Sequence, residues 1–366
     1  MFTVRTAKIL FASLIPSLLF FAFLGTRPID QFGFRAWEAL TAKGSGAVLL
    51  GRFYPMSATY RDEVGDLAPY TPDAVIKPRI VWETDALGFR NSPNRCRRPE
   101  VLVVGESMAI GTGVSQEQEL SVVLERDLSV CAKNLGGISL ERALALMDHA
   151  HYDAKVVIYA TPERNTRAFS AFNQAAYKRD QWLLRVLLTF TEWRWSKPLA
   201  QLIDFIVEPP FHAYKARHGV LAAIARAFAD RNHVPLRGEG GPETGRLIPT
   251  PRMNSQRDEP ARIAEALMTS KEQFASRGAT FVLVSVPERE LLYDRIAEPV
   301  QSPMQPLADA LDLRDVRYVD LWRAFRALRS QGIFAHHLDD THWNAYGIAA
   351  ASKSLQSLMV ARHLLE

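Results

Sequence analysis

The segment Val101-Leu-Val-Val-Gly-Glu-Ser-Met-Ala-Ile-Gly-Thr-Gly-Val114 decides how this chain of 366 residues is read. Its apolar, largely β-branched start predicts a strand, and the strand runs into a glycine-bearing turn with a serine at its mouth. Working outward, four more short strand-like runs follow: Ala132 to Leu135, Lys155 to Ala160, Thr280 to Val286 and Arg317 to Leu321. Helix-like stretches separate them. Strands alternating with helices predict an α/β fold with about five mostly parallel strands covered on both faces. Ligands of such sheets bind at the carboxyl ends of the strands, so Ser107, three residues beyond Val104, is placed over the site. The serine is then either a nucleophile or a helix cap, since Ser is also a good N-cap.

Near the other end stands Leu338-Asp-Asp-Thr-His-Trp-Asn-Ala-Tyr-Gly347, followed by an Ala-rich stretch. A serine hydroxyl needs a base to become a nucleophile. His342 can take its proton if a carboxylate fixes the imidazole tautomer, and Asp339 or Asp340 on the same turn can supply that carboxylate. Trp343 reads as packing support. His336 and His337 read as exposed loop residues or as the lining of an acceptor cleft, and His149-x-His151 as surface. The sequence has no phosphate loop and no dinucleotide fingerprint, so neither a cofactor nor a metal is expected.

Lys+Arg 44 against Asp+Glu 40 leaves a net charge of only +4, without the long basic run that tracks phosphates, so nucleic acid is excluded as a partner. Eighteen residues without a charge, Ile9 to Thr26, follow Arg5 and Lys8. As a helix they cover roughly 27 Å, near the ~30 Å hydrocarbon thickness of a bilayer. The run is either a signal peptide or a membrane anchor. Ala22-Phe23-Leu24 lacks the small last residue of a cleavage site, which favours an anchor, and Arg5 and Lys8 keep the N-terminus inside. This predicts a single-pass protein of the cytoplasmic membrane with its main domain in the periplasm. In that oxidising compartment Cys96 and Cys131 either close one disulfide or sit as two small hydrophobes. The expected organisation is a cytoplasmic tail over 1–8, an anchor over 9–26, a spacer over 27–83, an α/β domain over 84–165 and 263–366, and an insertion over 166–262. That insertion has a first half with Trp, Leu and Phe at helical spacing and a second half rich in Gly, Pro and charge.

Taken together the blocks resemble the SGNH (GDSL-like) hydrolase superfamily, in particular its membrane-associated polysaccharide O-acetyltransferases such as the alginate acetylation proteins. The likeness rests on Asp85-Ala-Leu-Gly-Phe-Arg-Asn91, Gly105-Glu106-Ser107 with Gly111 and Gly113, Asn134-Leu-Gly-Gly137, Glu163-Arg164-Asn165 and Asp339-Asp-Thr-His342. It implies a three-layer, flavodoxin-like fold. Ser107 would be the nucleophile, His342 the base and Asp339 the orienting carboxylate, with Asp340 as the alternative that some acetyltransferases use. The oxyanion would be held by the Ser107 amide, a glycine amide (Gly137, with Gly136 as the alternative) and the Asn165 side chain. Arg164 would meet a substrate carboxylate or pair with Glu163. Glu106 departs from the usual Asp. The implied activity is transfer of an acetyl group to a polysaccharide hydroxyl beside a membrane-bound acyl-exporting protein. The alternatives are an acetyl esterase with the same triad and a catalytically inactive glycan-binding subunit of an export complex.

Overall fold

The computed structural model describes residues 59–60, 82–83, 85, 89–92, 96–192, 260–293, 301–337 and 340–365, with the backbone alone at 59–60, 82, 186–192 and 290. Segment 9–26, the tail before it, most of the spacer and the second half of the insertion lie outside these residues. Among the described residues no helix is long and apolar enough to cross a membrane.

Five strands form one all-parallel sheet: β1 (Val101–Gly105), β2 (Ala132–Gly136), β3 (Val156–Pro162), β4 (Thr280–Val286) and β5 (Arg317–Asp320). Their order is 2-1-3-4-5, so the chain reverses direction across the sheet between β1 and β3. The helices are α1 (Ser107–Ile110), α2 (Leu120–Leu128), α3 (Leu140–Ala150), α4 (Glu163–Arg167), α5 (Gln174–Glu192), α6 (Pro260–Ala275), α7 (Arg289–Tyr293), α8 (Gln305–Asp312), α9 (Trp322–Ser330) and α10 (Ala345–Ala361). Thr59–Tyr60 and Trp82–Glu83 add a short antiparallel ladder.

Successive strand side chains point to opposite faces. Val101 and Val103 join a core formed with Leu120 and Leu124 of α2, Phe325 of α9 and Leu355 of α10. Leu102 and Val104 join the opposite core with Leu144 of α3, Leu184 of α5, Phe274 of α6 and Leu311 of α8. The result is three layers, helices on either side of a sheet buried along its whole first strand. The first helix of the insertion thus contributes to a core, with Trp182 left exposed.

The lead-in before β1 is fastened to the edge strand β2. Asn91 exchanges hydrogen bonds with the Asn134 backbone, accepting its N–H (2.8 Å) and donating to its carbonyl (2.9 Å). Lys133 and Asp85 form an ion pair at 2.9 Å, nearly out of solvent. A disulfide joins Cys96 to Cys131, closing the chain around the segment that contains Ser107.

Candidate active site

Gly105 ends β1 with φ at +135°, and a β-carbon there would be driven into the Ala160 carbonyl of the neighbouring β3. Only glycine lets the strand turn this tightly against its neighbour. Glu106 then occupies the N-cap position of α1 without a side-chain bond to it, which makes Ser107 the first helical residue. At that position a backbone N–H has no intrahelical acceptor. Gly136 meets the same turn from β2, where a β-carbon would lie 2.5 Å from the Ile110 nitrogen. The serine therefore sits at the reversal point of the sheet because three backbones approach closely.

The partner loop comes from beyond β5. His336 and Trp343 pair across it, His337 N–H donates to the His342 carbonyl (3.0 Å), and Asn344 N–H donates to the Ala335 carbonyl (2.9 Å). Asn344 also caps α10, accepting from Tyr346 and Gly347, while its amide donates to the carbonyls of Phe334 (2.8 Å) and His336 (3.0 Å). Trp343 is wholly buried, and its indole N–H donates to the Met108 carbonyl at 3.2 Å, fastening the loop onto α1.

This assembly brings His342 Nε2 to 2.6 Å from Ser107 Oγ, across 235 residues of sequence. Asp340 Oδ1 accepts both the His342 backbone N–H (3.0 Å) and the Nδ1 side of its ring. An aspartate bonding the N–H two residues on is an Asx turn, and here it locks the imidazole with Nε2 turned towards the serine. Asp340 is 2% exposed and His342 5%, so a low dielectric strengthens the pair. The carboxylate is thus Asp340 where Asp339 was expected first; Asp339 lies outside the described residues. Arg289, buried at the start of α7, donates to the Asp340 carbonyl at 3.4 Å.

The expected oxyanion donors are placed differently. The ladder between β1 and β2 runs one rung past the Gly105–Gly136 pair, and that rung takes the Gly137 N–H, bonded to the Gly105 carbonyl at 2.5 Å. The Gly136 N–H is bonded to Asn134 Oδ1 at 2.7 Å. Neither glycine amide points at an acyl oxygen here. Asn165 gives an amide hydrogen to the Glu106 carboxylate, which leaves it a second. Glu163 is buried and pairs with Arg167, so Arg164 is not its partner; burial pushes the Glu163 carboxyl up despite that cation. Arg164 is half-buried and makes no ion pair among the described residues.

His336 is neither exposed nor a cleft lining. It is 1% exposed, with Nε2 at 3.1 Å from the Pro287 carbonyl and Nδ1 at 3.4 Å from the Tyr293 hydroxyl. Burial, reinforced by the nearby Arg289 guanidinium, holds its pKa down to about 3, so it is neutral and Nε2 is the donor. His149 and His151 lie exposed at the end of α3. Among the described residues no group of three His, Cys, Asp or Glu side chains is arranged to hold a metal ion. Arg289, His336 and the Glu106–Asn165 contact were not anticipated as a set. Asn344 before an Ala-rich stretch was readable as an N-cap.

The chain matches no family model, no curated protein and no solved structure. The site therefore stands on its own geometry.

Proposed function

We propose that this protein is a serine acyltransferase of the SGNH type, moving an acetyl group through Ser107, His342 and Asp340 to a polysaccharide hydroxyl outside the cytoplasmic membrane. The observation behind it is the unbroken line from Asp340 through His342 to Ser107, with 2.6 Å at its last link. Ser107 Oγ attacks the acyl carbonyl as its proton passes to His342 Nε2, and Asp340 steadies the imidazolium. His342 then returns the proton to the leaving group. In the second half His342 deprotonates the acceptor hydroxyl, whose oxygen takes the acyl group, and passes that proton to the departing Ser107 Oγ. The Ser107 amide and the second amide hydrogen of Asn165 serve the developing oxyanion.

The 2-1-3-4-5 sheet order, which is that of flavodoxin-like folds, supports the superfamily assignment. The lead-in Asp85 to Asn91 and the apolar run 9–26 support the acetyltransferase branch, since an anchor holds the catalyst beside an acyl-exporting membrane protein and an emerging glycan. Incubation with an activated acetyl ester, with and without oligosaccharide, tests the assignment by mass spectrometry. The expected result is an acetyl on Ser107, lost in Ser107→Ala, and its passage to the glycan. Release of acetate alone makes the protein an esterase; no adduct and no turnover makes it a binding subunit.

A further inference from the structure

α1 is a helix of four residues, too short to hold itself. Its last carbonyls and the turn after it are instead gripped by one side chain from the lead-in. Arg90 is 2% exposed. Its Nη1 donates to the carbonyls of Ile110 (3.2 Å) and Gly111, its Nη2 to the carbonyl of Val114 (2.5 Å), and its Nε to Gln116 Oε1 (3.1 Å). The guanidinium charge faces Glu119, itself fully buried and bonded to Ser121, Val122 and Asn134. Gly111 admits this cation closely: a β-carbon there would lie 3.0 Å from Arg90 Nη1.

The same turn is what the histidine loop rests on. At Gly113 a β-carbon would come within 2.6 Å of His337 Nε2, and the Met108 carbonyl takes the Trp343 indole N–H. Segment 108–114 therefore lies between the Arg90 fork and the loop that carries His342. We propose that Arg90 is a positioning residue for the Ser107–His342 pair, setting at once the pose of the nucleophile helix and the seat of the base. The inference rests on the assignment of Ser107 as nucleophile. Arg90 acts through the backbone of 110–114, whose carbonyls it holds. A lysine keeps the charge that Glu119 needs but has no planar fork to span several carbonyls.

The test uses the full-length protein, p-nitrophenyl acetate as substrate and a fluorophosphonate as the serine probe. Arg90→Lys is expected to unfold cooperatively like wild type, to keep its KM and to lose about 10²-fold in kcat, the cost of an ångström-scale misplacement. Methylguanidinium is expected to restore kcat in Arg90→Ala, a rescue that a purely structural role does not give. Wild-type kcat in Arg90→Lys, or a rise in KM alone, or a kcat loss in Arg90→Ala that guanidinium leaves unrelieved, overturns the proposal. If both variants fail to fold, Gly113→Ala presses the seat from the other side. It is expected to lower kcat with the fold intact, and unchanged kcat there overturns the proposal. Wild type that is not labelled at Ser107 removes the nucleophile assignment itself; wild type and Arg90→Lys labelled at equal rates remove only the role of Arg90.

Discussion

The serine turn and the histidine loop meet at one hydrogen bond but are held by different means. Around Ser107 the restraint is steric. Gly105 and Gly136 allow strand ends and α1 to approach within distances no other residue permits. Around His342, side-chain hydrogen bonds from Asp340, Asn344, Trp343 and His336 add to the backbone pairing of the loop. The difference teaches where each half tolerates change. The first half fails abruptly when volume is added, and the second fails by increments as bonds are removed.

The largest expected effect is chemical. His342→Ala, and to a slightly lesser degree Asp340→Asn, should cut ester turnover by about 10⁴-fold while leaving the unfolding midpoint close to wild type, as read by kcat and urea titration. Next is Gly105→Ala, which should destabilise the protein by about 3 kcal/mol or more, because the methyl group meets the Ala160 carbonyl and φ is positive. A loss under about 1 kcal/mol would show that the turn is softer than the steric account requires.

His336 gives a smaller, pH-dependent effect. Its native pKa, near 3, lies below the unfolded value near 6.5, so the unfolded chain binds the proton first. The contribution is complete above about pH 7 and is lost as pH falls from there towards 3, at roughly 1 kcal/mol per pH unit. His336→Gln should flatten the fall in stability between pH 6 and 4, and parallel curves would reject the assignment. The smallest effect belongs to Asn344→Ala: about 1 kcal/mol from the helix cap, with kcat reduced more than KM as the loop loosens.

All five strands were legible to within two residues, because short runs between helix-like stretches, most of them apolar, have few other readings. Ser107 could be paired with His342 because the serine stands just beyond a strand end and the histidine has carboxylates on its own turn. The choice between Asp339 and Asp340 was not legible. Both share a turn in sequence, and only the Asx geometry decides which oxygen reaches Nδ1. The fate of the Gly137 amide depends on one extra rung of a parallel ladder, set by register between segments thirty residues apart. His336 looks like a loop residue because its cover, Phe325, Tyr293 and Pro287, comes from other segments.

Ser107 and His342 are 235 residues apart along the chain. A ribosome delivers the serine turn long before His342. Until residue 342 has emerged and β5 has docked, Ser107 stands without its imidazole partner. A chain cut short before residue 342 would carry the serine turn without its hydrogen-bond partner, however well its sheet had formed.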